Sequence, residues 1–277
     1  MSGNEQTSAS VRVGDVDVET WGARRFQDRI GAVTGAGSGI GKAVAERLIA
    51  EGATVYVLGR SGDELHATWA GVERAIPIPV DVGDSAQVRA AFARIEEEQG
   101  RLDVLCTSAG VPDAPWRLRP GQNADAALDS IDDEAWDYVI RINLTGTFYC
   151  VRAAVPLIRK AGPRGGAIVT ISSVGALAPY PLPAAYPASK AGVLGMTRAI
   201  AALLGGENIR INAVAPGATR TAMLPSDDGA LSALIASQPI QRAVPPSEMA
   251  ATIVYLLTDE AQFVTGQTVN ANGGLVM

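Results

Sequence analysis

Short, nearly unbroken apolar runs alternate along the chain with longer stretches whose apolar residues recur every three to four positions. The runs cover residues 30–34, 54–58, 76–80, 102–106, 167–171, 209–214 and 268–270. Helical spacing covers 40–51, 85–99, 133–158, 188–204 and 247–257. A strand with one face in water alternates apolar with polar residues, whereas an unbroken apolar run is covered on both faces, as in a parallel sheet. Seven such runs separated by helices predict an α/β fold: a single doubly wound domain with a parallel seven-stranded sheet and helices on both faces. Residues 1–28 are polar and read as an N-terminal extension, expected to be partly disordered, ahead of a domain spanning 29–277. Two segments, 111–131 and 218–246, break the alternation. Long loops in a compact α/β domain are more often functional than idle, so both are assigned to the substrate.

Composition and charge then exclude whole classes of function. A net charge of -6 without any Lys/Arg block argues against nucleic acid as a partner, because phosphate binding needs a clustered cationic surface. Two cysteines, Cys106 and Cys150, cannot build a disulfide framework and suit a reducing compartment. The start, MSGNEQTSAS, lacks the charged-then-apolar order of a signal peptide. Residues 167–188 are apolar but carry four prolines, which makes a poor membrane span. A soluble cytoplasmic protein without a membrane partner is expected. The lone His66, with the two cysteines, makes no plausible zinc set, so no metal is expected.

The first run leads directly into TGAGSGIG at residues 34–41, and a helix follows. Glycines there permit a tight turn and let a phosphate approach the backbone, while the helix N-terminus offers unpaired N–H groups to a pyrophosphate. The position between a strand and a helix is what distinguishes a Rossmann-type dinucleotide site from a chance glycine cluster. In such sites an acid after the second strand bonds the ribose, whereas an arginine accommodates a 2′-phosphate. Here the second run ends in Gly59-Arg60-Ser61, and no acid comes before Asp63. Arg60, with Ser38 or Ser61, suits a phosphate, so NADP(H) is favoured and NAD(H) is the alternative.

Downstream, Ser172 and Ser173 stand at the end of the fifth run, and Tyr186 and Lys190 stand four residues apart in YPASK. On a helix that spacing puts both side chains on one face. A tyrosine titrates near ~10 in isolation, and an adjacent ammonium favours its phenolate, which makes it a usable acid/base.

With these motifs in this order, residues 28 to 274 resemble the short-chain dehydrogenase/reductase family, its compact single-domain branch. The matching pieces are TGAGSGIG, SAG at 108–110, Asn143 within INLTG, Ser173 thirteen residues before Tyr186, YPASK at 186–190, and PGATRT at 216–221. The resemblance implies an oxidoreductase that interconverts a ketone or aldehyde and an alcohol by hydride transfer. It implies Tyr186 as general acid/base and Ser173 as the serine orienting the substrate. Lys190 would bond the nicotinamide ribose, and Asn143 would hold a water that resupplies the proton. Gly35, Ser38, Gly39, Ile40, Arg60, Ser61, Asp81, Val82, Ser108, Ala109 and Gly110 would contact the cofactor, as would Tyr186 and Lys190. Pro216, Gly217, Thr219 and Thr221 would hold its carboxamide end. A homotetramer or homodimer is implied too, through helices 133–158 and 188–204.

Two departures from the family pattern stand out. Thr107 and Ser108 stand where it has two asparagines, which questions local packing, and Asn272 stands where it commonly has Asp. The apolar segment 174–185, with Met223, Leu224, Leu231, Leu234 and Ile235, suits a hydrophobic ketone or alcohol. Two rivals stand beside the favoured reading: an NAD-dependent alcohol dehydrogenase of the same family, and a nucleotide-sensing protein that lost catalysis.

Overall fold

A computed structural model describes residues 24–112, 128, 131–178, 184–224, 232 and 235–277. Seven strands form one sheet: β1 (Ile30–Thr34), β2 (Thr54–Gly59), β3 (Ala75–Pro79), β4 (Val104–Thr107), β5 (Gly166–Ile171), β6 (Ile209–Val214) and β7 (Thr268–Val269). Their order is β3-β2-β1-β4-β5-β6-β7, and every pairing is parallel. The doubly wound α/β fold expected from the apolar runs is present. Strand ends shift from the expected positions by one or two residues, most at β4, where Leu102 and Asp103 precede the strand and Thr107 closes it.

The helices are α1 (Gly39–Ala50), α2 (Gly62–Thr68), α3 (Ser85–Gln99), α4 (Asp133–Ile140), α5 (Gly146–Arg159), α6 (Ala185–Leu204) and α7 (Pro246–Leu257). Local chemistry sets their ends. Asp84 caps α3 by accepting from the N–H groups of Ala86 and Gln87, and Gly100 stops it in the left-handed region at φ 69°. Asp132 likewise caps α4 through Ala135. One core packs α1 and α7 on a sheet face through Val33, Val55, Val104, Val169, Leu48 and Ile253. The other packs α3 and α5 on the opposite face through Ala32, Tyr56, Leu105, Ile168, Phe92 and Val151. Among the described residues no helix is long and apolar enough to cross a membrane.

Two features differ from the sequence expectation. The stretch 133–158 is not one helix: a π-helical turn, Arg141–Thr145, separates α4 from α5. Its apolar spacing is carried across the wide turn, so periodicity alone cannot reveal the interruption. Phe26, within the polar leader, is fully buried in the α1/α7 core, and Arg25 beside it pairs with Glu51 at 2.6 Å. The rest of the expected extension, 1–23, lies outside the described residues, as do most of the loop 111–131, residues 179–183, and 225–231 with 233 and 234 of the second loop.

β1 neighbours β2 on one side and β4 on the other, so the chain reverses its winding between them. In open α/β sheets the crevice at the C-terminal ends of such strands receives ligands. Thr34, Thr107 and Ile171 all end strands there.

Candidate active site

At the end of β1 the backbone turns through Gly35 at φ +67°, and a Cβ there would lie 2.8 Å from the Ala109 backbone. A side chain at Gly41 would meet the Gly35 carbonyl oxygen at 2.3 Å, so α1 can enter this close only with glycine at that position. Ser38 precedes α1 in an extended conformation, and its side chain makes no capping bond. The first N–H groups of α1 therefore face the crevice without a side-chain acceptor from Ser38. Ile40, partly buried, packs into the core behind the turn. Two other predicted segments converge here. The Ala109 N–H donates to Thr34 Oγ1 at 3.0 Å, holding the 108–110 stretch against the turn. Thr221 lies 3.1 Å from where a Gly39 side chain would begin.

The segment leading to Thr221 is fixed by its own bonds. The Pro216 carbonyl accepts from the Val174 N–H at 3.0 Å, and the Gly217 N–H donates to the Ala271 carbonyl at 3.0 Å. Thr219 Oγ1 donates to the Gly217 carbonyl at 3.1 Å, and Thr221 Oγ1 accepts from the Met223 N–H at 3.3 Å. Asn272, the second departure from the family pattern, accepts from the Gly274 N–H at 3.1 Å and donates to the Val276 carbonyl at 3.2 Å.

Beyond β2, Arg60 is exposed and its Nη1 donates to Tyr138 Oη of α4 at 3.0 Å. Ser61 precedes α2 and makes no side-chain cap, and Asp63 lies within the first turn of that helix. After β3, Asp81 Oδ1 accepts from the Gly83 N–H at 2.8 Å, and its other oxygen stands 3.6 Å from Arg141. Val82 is buried beside Gly146, at the start of α5.

The predicted acid/base group assembles on α6, which begins at Ala185, one residue before the tyrosine. Lys190 is buried, with Nζ 5.7 Å from the centroid of the Tyr186 ring and donating to the Ile171 carbonyl at 3.0 Å. Burial lowers the Lys190 ammonium from 10.5 to about 8. The π-helical turn carries Asn143, which is fully buried. Its Oδ1 accepts from the Val111 N–H at 2.8 Å, and its Nδ2 donates to the Val111 carbonyl at 3.0 Å and to Ser189 Oγ at 3.1 Å. Ser189 Oγ in turn donates to the Tyr186 carbonyl at 2.7 Å. Gly110 separates Asn143 from Lys190: a Cβ there would stand 3.2 Å from Asn143 Oδ1 and 3.3 Å from Lys190 Nζ.

The two serines after β5 have different duties. Ser172 is buried and its Oγ donates to the Lys190 carbonyl at 2.8 Å. Ser173 is half-buried and its Oγ accepts from the Gly175 N–H at 3.1 Å, so its own proton points elsewhere.

These groups fit a dinucleotide. The turn offers backbone N–H groups to a pyrophosphate, Arg60 offers a guanidinium to a 2′-phosphate, and Lys190 offers an ammonium deeper in the crevice. Sequence reasoning missed three members of the network: Thr34, Ser189 and Tyr138. Ser189 stood inside the YPASK motif without a role, whereas Tyr138 meets Arg60 only through the fold.

Residues 35–276 match the model of a family described as enoyl-(acyl carrier protein) reductase. The chain belongs to the short-chain dehydrogenase/reductase family. It is 36% identical to the 3-oxoacyl-[acyl-carrier-protein] reductase FabG of Thermotoga maritima, over 91% of this chain and 100% of that protein. It is 35% identical to the 3beta-hydroxysteroid dehydrogenase of Mediterraneibacter gnavus, over 90% of this chain and 95% of that protein. A short-chain type dehydrogenase/reductase from Mycobacterium ulcerans superposes with a TM-score of 0.81 at 30% identity, covering 90% of each chain. As a short-chain dehydrogenase/reductase the protein is an NAD(P)-dependent oxidoreductase acting on CH–OH and C=O groups of small molecules.

Proposed function

We propose that the protein is an NADP(H)-dependent ketoreductase or alcohol dehydrogenase with Tyr186 as its general acid/base. The observation that carries this reading is the buried Lys190 ammonium beside the Tyr186 ring, one helical turn away on α6. The bound dinucleotide supplies the hydride, or takes it up in the reverse direction. Ser173 Oγ, already accepting from Gly175, donates its proton to the substrate oxygen and holds it against Tyr186. Tyr186 Oη gives a proton to that oxygen as negative charge develops on it, and removes one in the reverse direction. The Lys190 charge favours the phenolate left behind. The gap at Gly110, between Asn143 Oδ1 and Lys190 Nζ, suits a water that returns the proton.

The cofactor contacts follow the same placement. Gly35, Ser38, Gly39 and Ile40 take the pyrophosphate, and Arg60 with Ser61 takes the 2′-phosphate. Asp81 and Val82 take the adenine. Ser108, Ala109 and Gly110 flank the ribose, and Pro216, Gly217, Thr219 and Thr221 hold the carboxamide. An exposed Arg60 with no acid before Asp63 favours NADP(H) over NAD(H). The substrate is a hydrophobic ketone or alcohol, in keeping with relatives named for 3-oxoacyl and hydroxysteroid groups. A homotetramer or homodimer is proposed, with the part-exposed Trp136 and Phe148 of α4 and α5 at its contacts. A cytoplasmic setting suits the two free, buried cysteines.

The deciding experiment is Tyr186→Phe assayed by NADPH absorbance on a panel of ketones, alcohols and β-keto thioesters. Turnover should fall by about 10²–10⁴-fold while NADPH binding persists. Retained turnover would remove Tyr186 from the mechanism. Arg60→Ala should lower kcat/KM with NADPH and leave that with NADH nearly unchanged; an unchanged ratio would favour the NAD-dependent alternative. Light scattering that finds a monomer would overturn the proposed assembly.

A further inference from the structure

A second cavity, of about 250 Å³, opens at the other edge of the sheet, beneath the N-terminal ends of β1, β5 and β6. Arg29, Arg164, Arg210 and Asp259 supply its charged wall, and Asn208 and Gln262 add amide groups. Three guanidinium groups thus face one carboxylate. Arg29 directly precedes β1 and is buried, and its Nη2 pairs with Asp259. Arg29 Nε is buried and lacks a hydrogen-bond partner among the described residues. Arg210, also buried, donates from Nη1 to the carbonyl of Leu256 and from Nη2 to that of Thr258 at 2.8 Å each, which holds the guanidinium in place without neutralising its charge. Arg164 is more than half exposed and reaches the same Asp259 oxygen at 3.3 Å.

The cavity is built to keep this arrangement. Asn208, at φ 56°, donates to the carbonyls of Pro163 and Arg164 at 3.2 and 3.1 Å and so fixes the turn that carries Arg164. Burial, with the like charge of Arg29, holds the Arg210 guanidinium below its ordinary value against the attraction of Asp259. Partial burial raises the Asp259 carboxyl, but Arg29 and Arg164 outweigh it and leave the group below its usual range. The surrounding charges do not cancel the excess: Arg25 and Arg47 share Glu51, and Arg25 also reaches Glu260 at 3.6 Å.

We propose that this cavity binds a small dianionic oxyanion of the phosphate class, with Arg29 and Arg210 at its floor and Arg164 at its mouth. Planar guanidinium forks match a tetrahedral oxyanion. A volume of about 250 Å³ is too small for a dinucleotide and ample for a phosphate or a short phosphomonoester. The site stands at the opposite ends of the strands from the Tyr186 crevice, so it does not depend on the proposed reaction.

Thermal unfolding tests it, with inorganic phosphate replacing chloride at constant ionic strength and saturating NADPH present. The wild type should show a saturable rise in Tm. In Arg164→Glu the phosphate concentration for half the rise should increase by about tenfold or more, the loss of one charge-assisted bond. That variant changes an exposed residue, and its retained NADPH turnover would report that it folds. Arg60→Ala should keep the rise, since the cofactor phosphate site is not involved. No saturable rise in the wild type, an unchanged rise in Arg164→Glu, or loss of the rise in Arg60→Ala would each overturn the proposal. Glycerol 3-phosphate identifies the source: a matching rise assigns a cavity open to phosphate esters, and a rise with inorganic phosphate alone assigns the free ion.

Discussion

Lys190 Nζ stands 5.7 Å from the centre of the Tyr186 ring and donates to the Ile171 carbonyl, where α6 meets the end of β5. This buries a cation beside the Ile171 carbonyl, and the burial lowers it to about 8 against 10.5 in the open chain. Below pH 8 both folded and unfolded chains hold the proton, so the full cost of burying the charge is felt. Between pH 8 and 10.5 the folded chain releases the proton while the unfolded chain keeps it, so stability rises with pH. The cofactor-free protein should gain about 2 kcal/mol from this group between pH 7 and pH 9.5. Urea unfolding of the wild type and Lys190→Met at both pH values isolates the effect. Parallel pH slopes in the two proteins would contradict it.

Ser172 and Ser173 are adjacent, yet their hydroxyls serve different neighbours. Ser172 Oγ donates to the Lys190 carbonyl, whereas Ser173 Oγ is an acceptor from Gly175 with its proton left over. Ser173→Ala should cut kcat by about 10²–10³-fold, as loss of a donor to a developing oxyanion does. Ser172→Ala should cost about 1 kcal/mol of stability and change kcat little. Steady-state kinetics with urea unfolding on both variants would reveal a reversed pattern.

Arg60 rests on Tyr138 Oη at 3.0 Å, so a residue of α4 positions the side chain proposed to take the 2′-phosphate of NADP(H). Tyr138→Phe should raise KM for NADPH by roughly two- to tenfold, the worth of one hydrogen bond. KM for NADH and kcat with either cofactor should stay put. A matching change with NADH would mean that Tyr138 acts on the fold instead.

The fold was legible because its central strands β1, β4, β5 and β6 are buried on both faces, so the apolar runs and the strands coincide to within a residue or two. Short or uncentred features were not. Helix α2 spans Gly62–Thr68 and buries only Leu65, too little for a periodic signal. The π-helical turn keeps the helical spacing on either side, which hides it. The side chains proposed for catalysis were readable as types at set spacings, but their partners were not. Val111, Ile171 and Lys190 all take part through backbone groups, and backbone groups leave no mark on residue identity. Tyr138 and Arg60 are 78 residues apart, and only the folded chain joins them.

Thr107, one of the residues that depart from the family pattern, sits in register between Thr34 on β1 and Thr170 on β5. The outer two hydroxyls are engaged: Thr34 Oγ1 accepts from Ala109, and Thr170 Oγ1 bonds Thr197 Oγ1 at 2.8 Å. Thr107 Oγ1 is buried without a hydrogen-bond partner among the described residues. A buried hydroxyl without a partner bears its desolvation cost with no return, and valine has nearly the same shape. Thr107→Val should therefore stabilise the protein by about 1 kcal/mol, raising Tm by about 2–4 °C. Thr34→Val should do the reverse, because it leaves the Ala109 N–H unpaired and frees the 108–110 stretch from the glycine turn. That variant should also raise KM for the cofactor, while Thr107→Val should not. Calorimetry and cofactor titration of the two variants separate these outcomes, and a destabilised Thr107→Val would show that its hydroxyl is satisfied after all.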